Sequence, residues 1–208
     1  MSVDHKTIAV LMGGPGSERE VSIASGKSVS KALAEKGAAV IDVVLEDESL
    51  ELEDEVDLVF NVIHGTFGED GSLQKILNER RIPYTGAGAS SSELAFDKLL
   101  SKKSFVEHGV NTPLFDFIST SGESQTSIKE PYVIKPPKEG SSVGVHIIRY
   151  ASEFDEAIKD VAKYDEIALV EEFISGKELT VGILNGEALP IVHIQPESGF
   201  YDMNNKYP

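Results

Sequence analysis

The chain contains no cysteine, which excludes disulfides and thiolate-ligated metals but fixes no compartment. Positive charge is also scarce: 19 Lys and Arg stand against 35 Asp and Glu, a formal net charge of −16. A surface this acidic repels nucleic acid and anionic membranes, so neither is expected as a partner. A small anion is a different case, because a few placed lysines act locally while salt screens carboxylates beyond about 8–10 Å. No stretch approaches the ~20 apolar residues of a membrane span, and the opening MSVDHK enters the first apolar run without a secretory core. A cytoplasmic protein is the expectation. What is present suffices for one large core or two small ones: 208 residues, 40% of them hydrophobic.

Three β-branched runs, 7–12 (TIAVLM), 39–45 (AVIDVVL) and 57–63 (DLVFNVI), have the pattern of strands buried on both faces of a parallel sheet. Between them, 20–36 and 72–80 read as helices, with stripes of Val21, Ala24, Val29, Ala32 and Leu33 in one and Leu73, Ile76 and Leu77 in the other. This β-α-β alternation predicts an open α/β sheet that takes ligands at the carboxyl ends of its strands. The acidic stretch 46–57 reads as a solvated connection. From about Ser90 the grammar changes to a helix over 90–107, strands LFDFIS, YVIK and VGVHIIR, a helix from 152 to about 163, then strands IALVEEF and ELTVGIL. Asn185-Gly186 suits the positive φ values of a type I′ turn and predicts a hairpin toward ALPIVHI. This half is mixed α+β, mostly antiparallel, with a boundary near 86–91 in GAGASSS.

Five segments carry candidate chemistry. KPPKEGSSVGV (135–145) sets Lys135 and Lys138 beside Ser141 and Ser142 in a turn of small residues, whose backbone N–H groups could share one concavity with a phosphoryl group. It lacks the Gly-Lys-Ser/Thr of a Walker loop, and a strand connection with solvated lysines stands as its alternative. In GGPGSEREVS (13–22), Arg19 occupies the third-glycine place of a dinucleotide fingerprint, which argues against NAD. Ser17 and Glu20 fit a capping box there, leaving Glu18 either to the helix dipole or to a substrate amine. HGTFGEDGS (64–72) follows another core strand: Asp70 can cap the next helix and Glu69 can be solvated, while His64 should face the ligand end of the sheet. Lys98 beside Asp97 reads first as a surface ion pair. Glu171, Glu172 and Glu178 in LVEEFISGKELTV could bind ribose hydroxyls or an adenine amine, or be merely exposed.

Taken in order, GGPGSEREVS, HGTFGEDGSLQKIL, IPYTGAG, DK, VIKPPKEGSSVGV, EEFISGKELTV and FYDMNNKY make the chain similar, over essentially its whole length, to the D-alanine:D-alanine ligases of the ATP-grasp superfamily. The resemblance implies a Rossmann-like (pre-ATP-grasp) substrate domain over 1–88, a central ATP-grasp subdomain over 89–177, and the start of a C-terminal subdomain over 178–208, the ATP-grasp fold being incomplete. It implies ligation of two D-alanine molecules through a D-alanyl phosphate, for peptidoglycan precursor synthesis, with ATP and Mg²⁺ (or Mn²⁺). Glu18 matches the residue holding the first D-alanine's ammonium, and His64 lies in that subsite. Lys98 and Lys135 match the phosphate-binding lysines, Ser141 and Ser142 the covering loop, Glu171 the adenine-side acid, Ile174 the backbone beside it and Glu178 the ribose acid. Tyr201, Lys206 and Tyr207 match the closing loop, with Lys206 aimed at the γ-phosphate and Tyr207 joining Ser141 and Glu18 in the catalytic set. Metal ligands are expected beyond Pro208, none within the chain, so the 208-residue piece alone is expected to be inactive. A homodimer is implied as well. The alternatives are a D-alanine:D-lactate or other dipeptide ligase, and a non-catalytic nucleotide-binding module.

Overall fold

The computed structural model describes residues 4–52, 55–122 and 124–195. They fall into two compact units, Met1–Ser104 and Phe105–Pro208, a division later than the composition change at GAGASSS.

The first unit is built on strands β1 (Thr7–Gly13), β2 (Ala39–Leu45) and β3 (Leu58–Asn61), all parallel in the order β2-β1-β3. The helices are α1 (Arg19–Glu35), α2 (Ser72–Glu79), α3 (Ala89–Phe96) and α4 (Lys98–Glu107), the last running across the division. The expected α/β alternation is present. β1 is central, and Ile8 to Met12 are no more than 1% exposed. Alternation splits them: Ala9 and Leu11 pack with Val59, Phe67, Leu73 and Leu77, while Ile8, Val10 and Met12 pack with Ile23, Val29 and Leu33 of α1.

Three local expectations are corrected here. β2 is an edge strand, not one buried on both faces, and Val44 is exposed. The most buried residues of α1 are Ser22, Gly26 and Ser30, spaced by four; of the expected stripe Val29 and Leu33 do pack against the sheet, whereas Ala24 and Ala32 are exposed. Small residues let this helix sit close on the sheet: a Cβ at Gly26 would lie 2.6 Å from the Met12 Cβ. The helix over 90–107 is two helices, broken where Asp97 takes extended backbone (ψ 106°) and its Oδ1 accepts the N–H of Leu99 at 2.8 Å.

Ser22 also shapes the ligand end of the sheet. The β1–β3 ladder runs through Val62 N–H to the Leu11 carbonyl at 2.9 Å, and its next rung would join Gly13 N–H to the Val62 carbonyl. The Ser22 hydroxyl stands in that rung, accepting from Gly13 N–H at 2.9 Å and donating to the Val62 carbonyl at 2.6 Å. The two strand ends are thus held slightly apart, where the loops carrying Glu18 and His64 begin.

The second unit holds a four-stranded antiparallel sheet of β4 (Phe115–Ser119), β5 (Tyr132–Lys135), β6 (His146–Ile148) and β7 (Ile167–Glu172), ordered β4-β7-β5-β6. On one face Tyr132, Ile134, Ile148, Ala168 and Val170 pack against Ala157, Ile158 and Val161 of α5 (Phe154–Val161). The intervening positions Val133, Lys135, Ile147 and Glu171 belong to the other face. β6 begins at His146 rather than Val143, because Gly144 has φ +63° in the preceding turn and a Cβ there would meet Pro136 Cγ at 2.9 Å. Four short strands follow, β8 (Glu178–Thr180), β9 (Ile183–Leu184), β10 (Glu187–Ala188) and β11 (Val192–Ile194). β9 and β10 form the predicted hairpin, with φ 52° at Asn185 and 83° at Gly186, as a type I′ turn requires. The expected single strand 178–184 is interrupted after Thr180, and β8 pairs instead with β11.

Candidate active site

Each unit carries its own group of candidate residues. In the first, the chain leaving β1 turns through Gly13 to Ser17 and enters α1 with Glu18 at the N-cap position. The expected capping box is absent: the N-cap makes no side-chain capping bond, and Ser17 and Glu20 are exposed. Glu18 itself is buried, 7% exposed. A carboxylate so placed is favoured by the helix dipole, and its Oε2 approaches Gly65, where an added Cβ would be 3.8 Å away. The residue after β1 and the loop after β3 are therefore neighbours.

That second loop is tightly made. Asn61 Nδ2 and Gln74 Nε2 both donate to the Gly68 carbonyl, at 2.8 and 2.7 Å, and Asn61 Oδ1 accepts from Ile63 N–H at 3.0 Å. Asp70 caps the start of α2, accepting from Phe67 and Ser72 N–H at 2.9 Å each, as the sequence suggested. Glu69 is more than solvated: it accepts from Gly65 N–H at 3.0 Å and lies 3.8 Å from His64 Nδ1. His64 Nε2 points inward, buried and without a hydrogen-bond partner among the described residues. Lys98 opens α4 in the same unit.

In the second unit, a pocket of about 710 Å³ opens on the sheet face opposite α5, within the size range of small-molecule sites. Its walls are Val133, Val145, Ile147, Phe173 and Ile174, and its polar lining includes Lys135, Arg149, Lys177 and Glu178. The Lys135 ammonium is paired with Glu171, whose side chain is 9% exposed. Next to the pocket, the turn over 140–145 is closed by Val143 N–H to the Gly140 carbonyl at 2.9 Å, with Ser141 and Ser142 at φ 48° and 65°. Two successive non-glycine residues in that region store backbone strain, a feature of ligand-clamping segments. The strand leaving the turn is tied to α5 through His146 Nε2, 2.8 Å from Asp160 Oδ2. Hydrogen bonds from Lys163 and from His146 hold the Asp160 carboxyl below its ordinary range.

The structure thus groups Glu18 and His64 in the first unit, and Lys135, Glu171, Ile174 and Glu178 in the second. Tyr201, Lys206 and Tyr207 lie outside the described residues. Sequence reasoning missed Gln74, Arg149 and Phe173; only Gln74 left a trace, as a polar residue within an apolar helical stripe. Among the described residues, no group of three or more His, Asp or Glu side chains could hold a metal ion. Nor is any described helix long and apolar enough to cross a membrane.

Two family models match the chain: D-Ala D-Ala ligase N-terminus over residues 42–87 and D-Ala D-Ala ligase C-terminus over 114–208. The chain is 46% identical over 200 residues to the D-alanine–D-alanine ligase of Methylacidiphilum infernorum, covering 96% of this chain and 65% of that protein. Against the Syntrophotalea carbinolica D-alanine–D-alanine ligase it is 41% identical over 208 residues, 99% of this chain and 68% of that one. The crystal structure of the Bacillus anthracis D-alanine–D-alanine ligase complexed with ATP superposes with a TM-score of 0.83 at 30% identity, over 96% of this chain and 67% of that chain. The chain spans about two thirds of the length of these relatives. By motif order, fold and sequence identity together, the chain belongs to the D-alanine–D-alanine ligase family.

Proposed function

We propose that the chain supplies the D-alanine- and nucleotide-binding parts of a ligase that joins two D-alanine molecules, driven by ATP, for peptidoglycan precursor synthesis. In this reading a carboxylate oxygen of the first D-alanine attacks the γ-phosphorus and the bond to the ADP oxygen breaks. The amine of the second D-alanine then attacks the acyl carbon and phosphate leaves, giving dipeptide, ADP, phosphate and a proton. The protein's task is to position the partners and offset charge. Glu18 takes the first D-alanine's ammonium and His64 borders it. Lys98 and Lys135 take phosphate oxygens, Ser141 and Ser142 cover them, and Glu171, Ile174 and Glu178 serve the adenosine side. Tyr207, Tyr201 and Lys206 keep their assignments as closing-loop residues. Mg²⁺ or Mn²⁺ belongs to the same reading, but the described residues offer no ligand cluster for it, so no role here is routed through metal. A cytoplasmic homodimer is likewise part of the proposal.

The observation that carries this reading is the second unit's pocket, whose lining joins apolar side chains to Lys135 and Glu178. Lys135 ends β5 on a defined sheet face, whereas Lys138 lies three residues on in the loop. Calorimetric titration with ATP tests the assignment: Lys135→Ala should abolish saturable binding and Lys138→Ala should weaken it only slightly. Equal, small losses in both variants would remove the phosphate role.

A further inference from the structure

We infer that Arg149 is a base-contact residue of the nucleotide pocket, acting as one unit with Phe173; the inference rests on the nucleotide reading above. Its first support is register. Ile148 is buried against α5, so Ile147 takes the opposite face of β6, and Arg149, the residue directly after the strand, lines the pocket with Ile147 and Val145. Val145 adjoins the Ser141-Ser142 turn. Arg149 lies four residues further along extended chain, roughly 10–13 Å away, at the end remote from the phosphate-type groups.

The second support is the partner. The Arg149 guanidinium carbon stands 5.8 Å from the centroid of the Phe173 ring, within the range of a cation–π contact. Phe173 follows β7 directly and is itself part of the pocket wall. A planar cation placed over an aromatic ring adds a second flat group against which a purine can stack, and guanidinium N–H groups are donors matched to purine ring nitrogens. A lysine offers charge at this place but no plane.

The third support is anchoring. Glu153 Oε2 accepts the backbone N–H of Arg149 at 2.7 Å and of Tyr150 at 3.0 Å. This clamp fixes where the exposed arginine leaves the strand, so its side chain is not merely one more cation on the surface.

The test is titration of the protein with adenosine and with ATP, using Arg149→Ala, Arg149→Lys, Phe173→Leu and the Arg149→Ala/Phe173→Leu double variant, with melting temperatures recorded alongside. We expect Arg149→Ala to weaken adenosine and ATP by the same factor, about fivefold, without lowering the melting temperature. Arg149→Lys should restore little of the loss, and the Arg149→Ala effect should shrink in the Phe173→Leu background. Weakened ATP with unchanged adenosine would make Arg149 a phosphate-side cation and overturn the inference, as would unchanged affinity for both. If the unaltered protein binds neither ligand, the nucleotide reading itself has failed, a result separable from any effect of the variants.

Discussion

Ser22→Ala is expected to cost far more than a surface-helix substitution. Ser22 is fully buried and its hydroxyl stands between Gly13 N–H and the Val62 carbonyl, at 2.9 and 2.6 Å. Removing it leaves a buried donor and a largely buried acceptor without partners, each worth about 1–3 kcal/mol. Alanine's better helix propensity returns roughly 0.5 kcal/mol. Partial closure of the strand ends onto each other would lower the sum further, so we expect a net loss of about 2–3 kcal/mol. For a unit of this size that corresponds to a fall in melting temperature of the order of 10 °C. Urea unfolding followed by circular dichroism measures it, with Ser22→Thr as the companion that keeps the hydroxyl. A loss below about 0.5 kcal/mol for Ser22→Ala would refute the argument that the hydroxyl substitutes for a ladder rung, since only direct Gly13–Val62 pairing could make the change so mild.

Glu18→Gln keeps the side chain's volume and removes its charge, so it should weaken D-alanine binding more than it lowers the melting temperature; unaltered D-alanine affinity with a clearly lower melting temperature would make Glu18 structural. Asp160 is held below its unfolded value first by Lys163 and then by His146, so its contribution is present above about pH 4 and is lost as pH falls through the folded value. Wild type should therefore exceed Asp160→Asn in urea stability at pH 7, and the gap should narrow progressively as the pH is taken below about 4; a gap independent of pH would contradict this. Gly186→Ala forces alanine to φ +83° with nothing within 4 Å to clash, so the cost is backbone strain alone, about 1–2 kcal/mol. Faster amide exchange confined to the β9–β10 hairpin would register it.

The parallel sheet was legible because β-branched runs mark strands sheltered on both sides, and β1 meets that condition fully. β2 has the same composition yet lies at an edge, since hydropathy reports what a strand tolerates and not which neighbours it receives. The face of α1 was read only in part for a related reason. Val29 and Leu33 of the expected stripe do pack on the sheet, but the most buried row is Ser22, Gly26 and Ser30, which a hydrophobic stripe cannot reveal because closeness, not apolar area, is what they provide. Lys135 and Glu178 were candidates from local sequence alone, and both line the pocket of the second unit. Arg149 could not, because its meaning comes from Phe173, brought beside it only by the packing of β6 and β7 on either side of β5.

The small-residue stripe of α1 and the layout of the first unit's site have one physical cause. A parallel sheet binds at its carboxyl ends only if neighbouring strands part there, and parting leaves backbone groups to be satisfied. A leucine at position 22 would fill the space but leave Gly13 N–H and the Val62 carbonyl unpaired. Serine spans the gap with one acceptor and one donor, and it can do so only if the helix lies near enough for so short a side chain to reach. Gly26, one turn further along, permits that approach against Met12, and Ser30 extends the same row to Asp42, with its Oγ 2.5 Å from Oδ1. The close docking of α1 is thus what allows the loops bearing Glu18 and His64 to diverge from β1 and β3 without leaving the Gly13 N–H and the Val62 carbonyl orphaned beneath them.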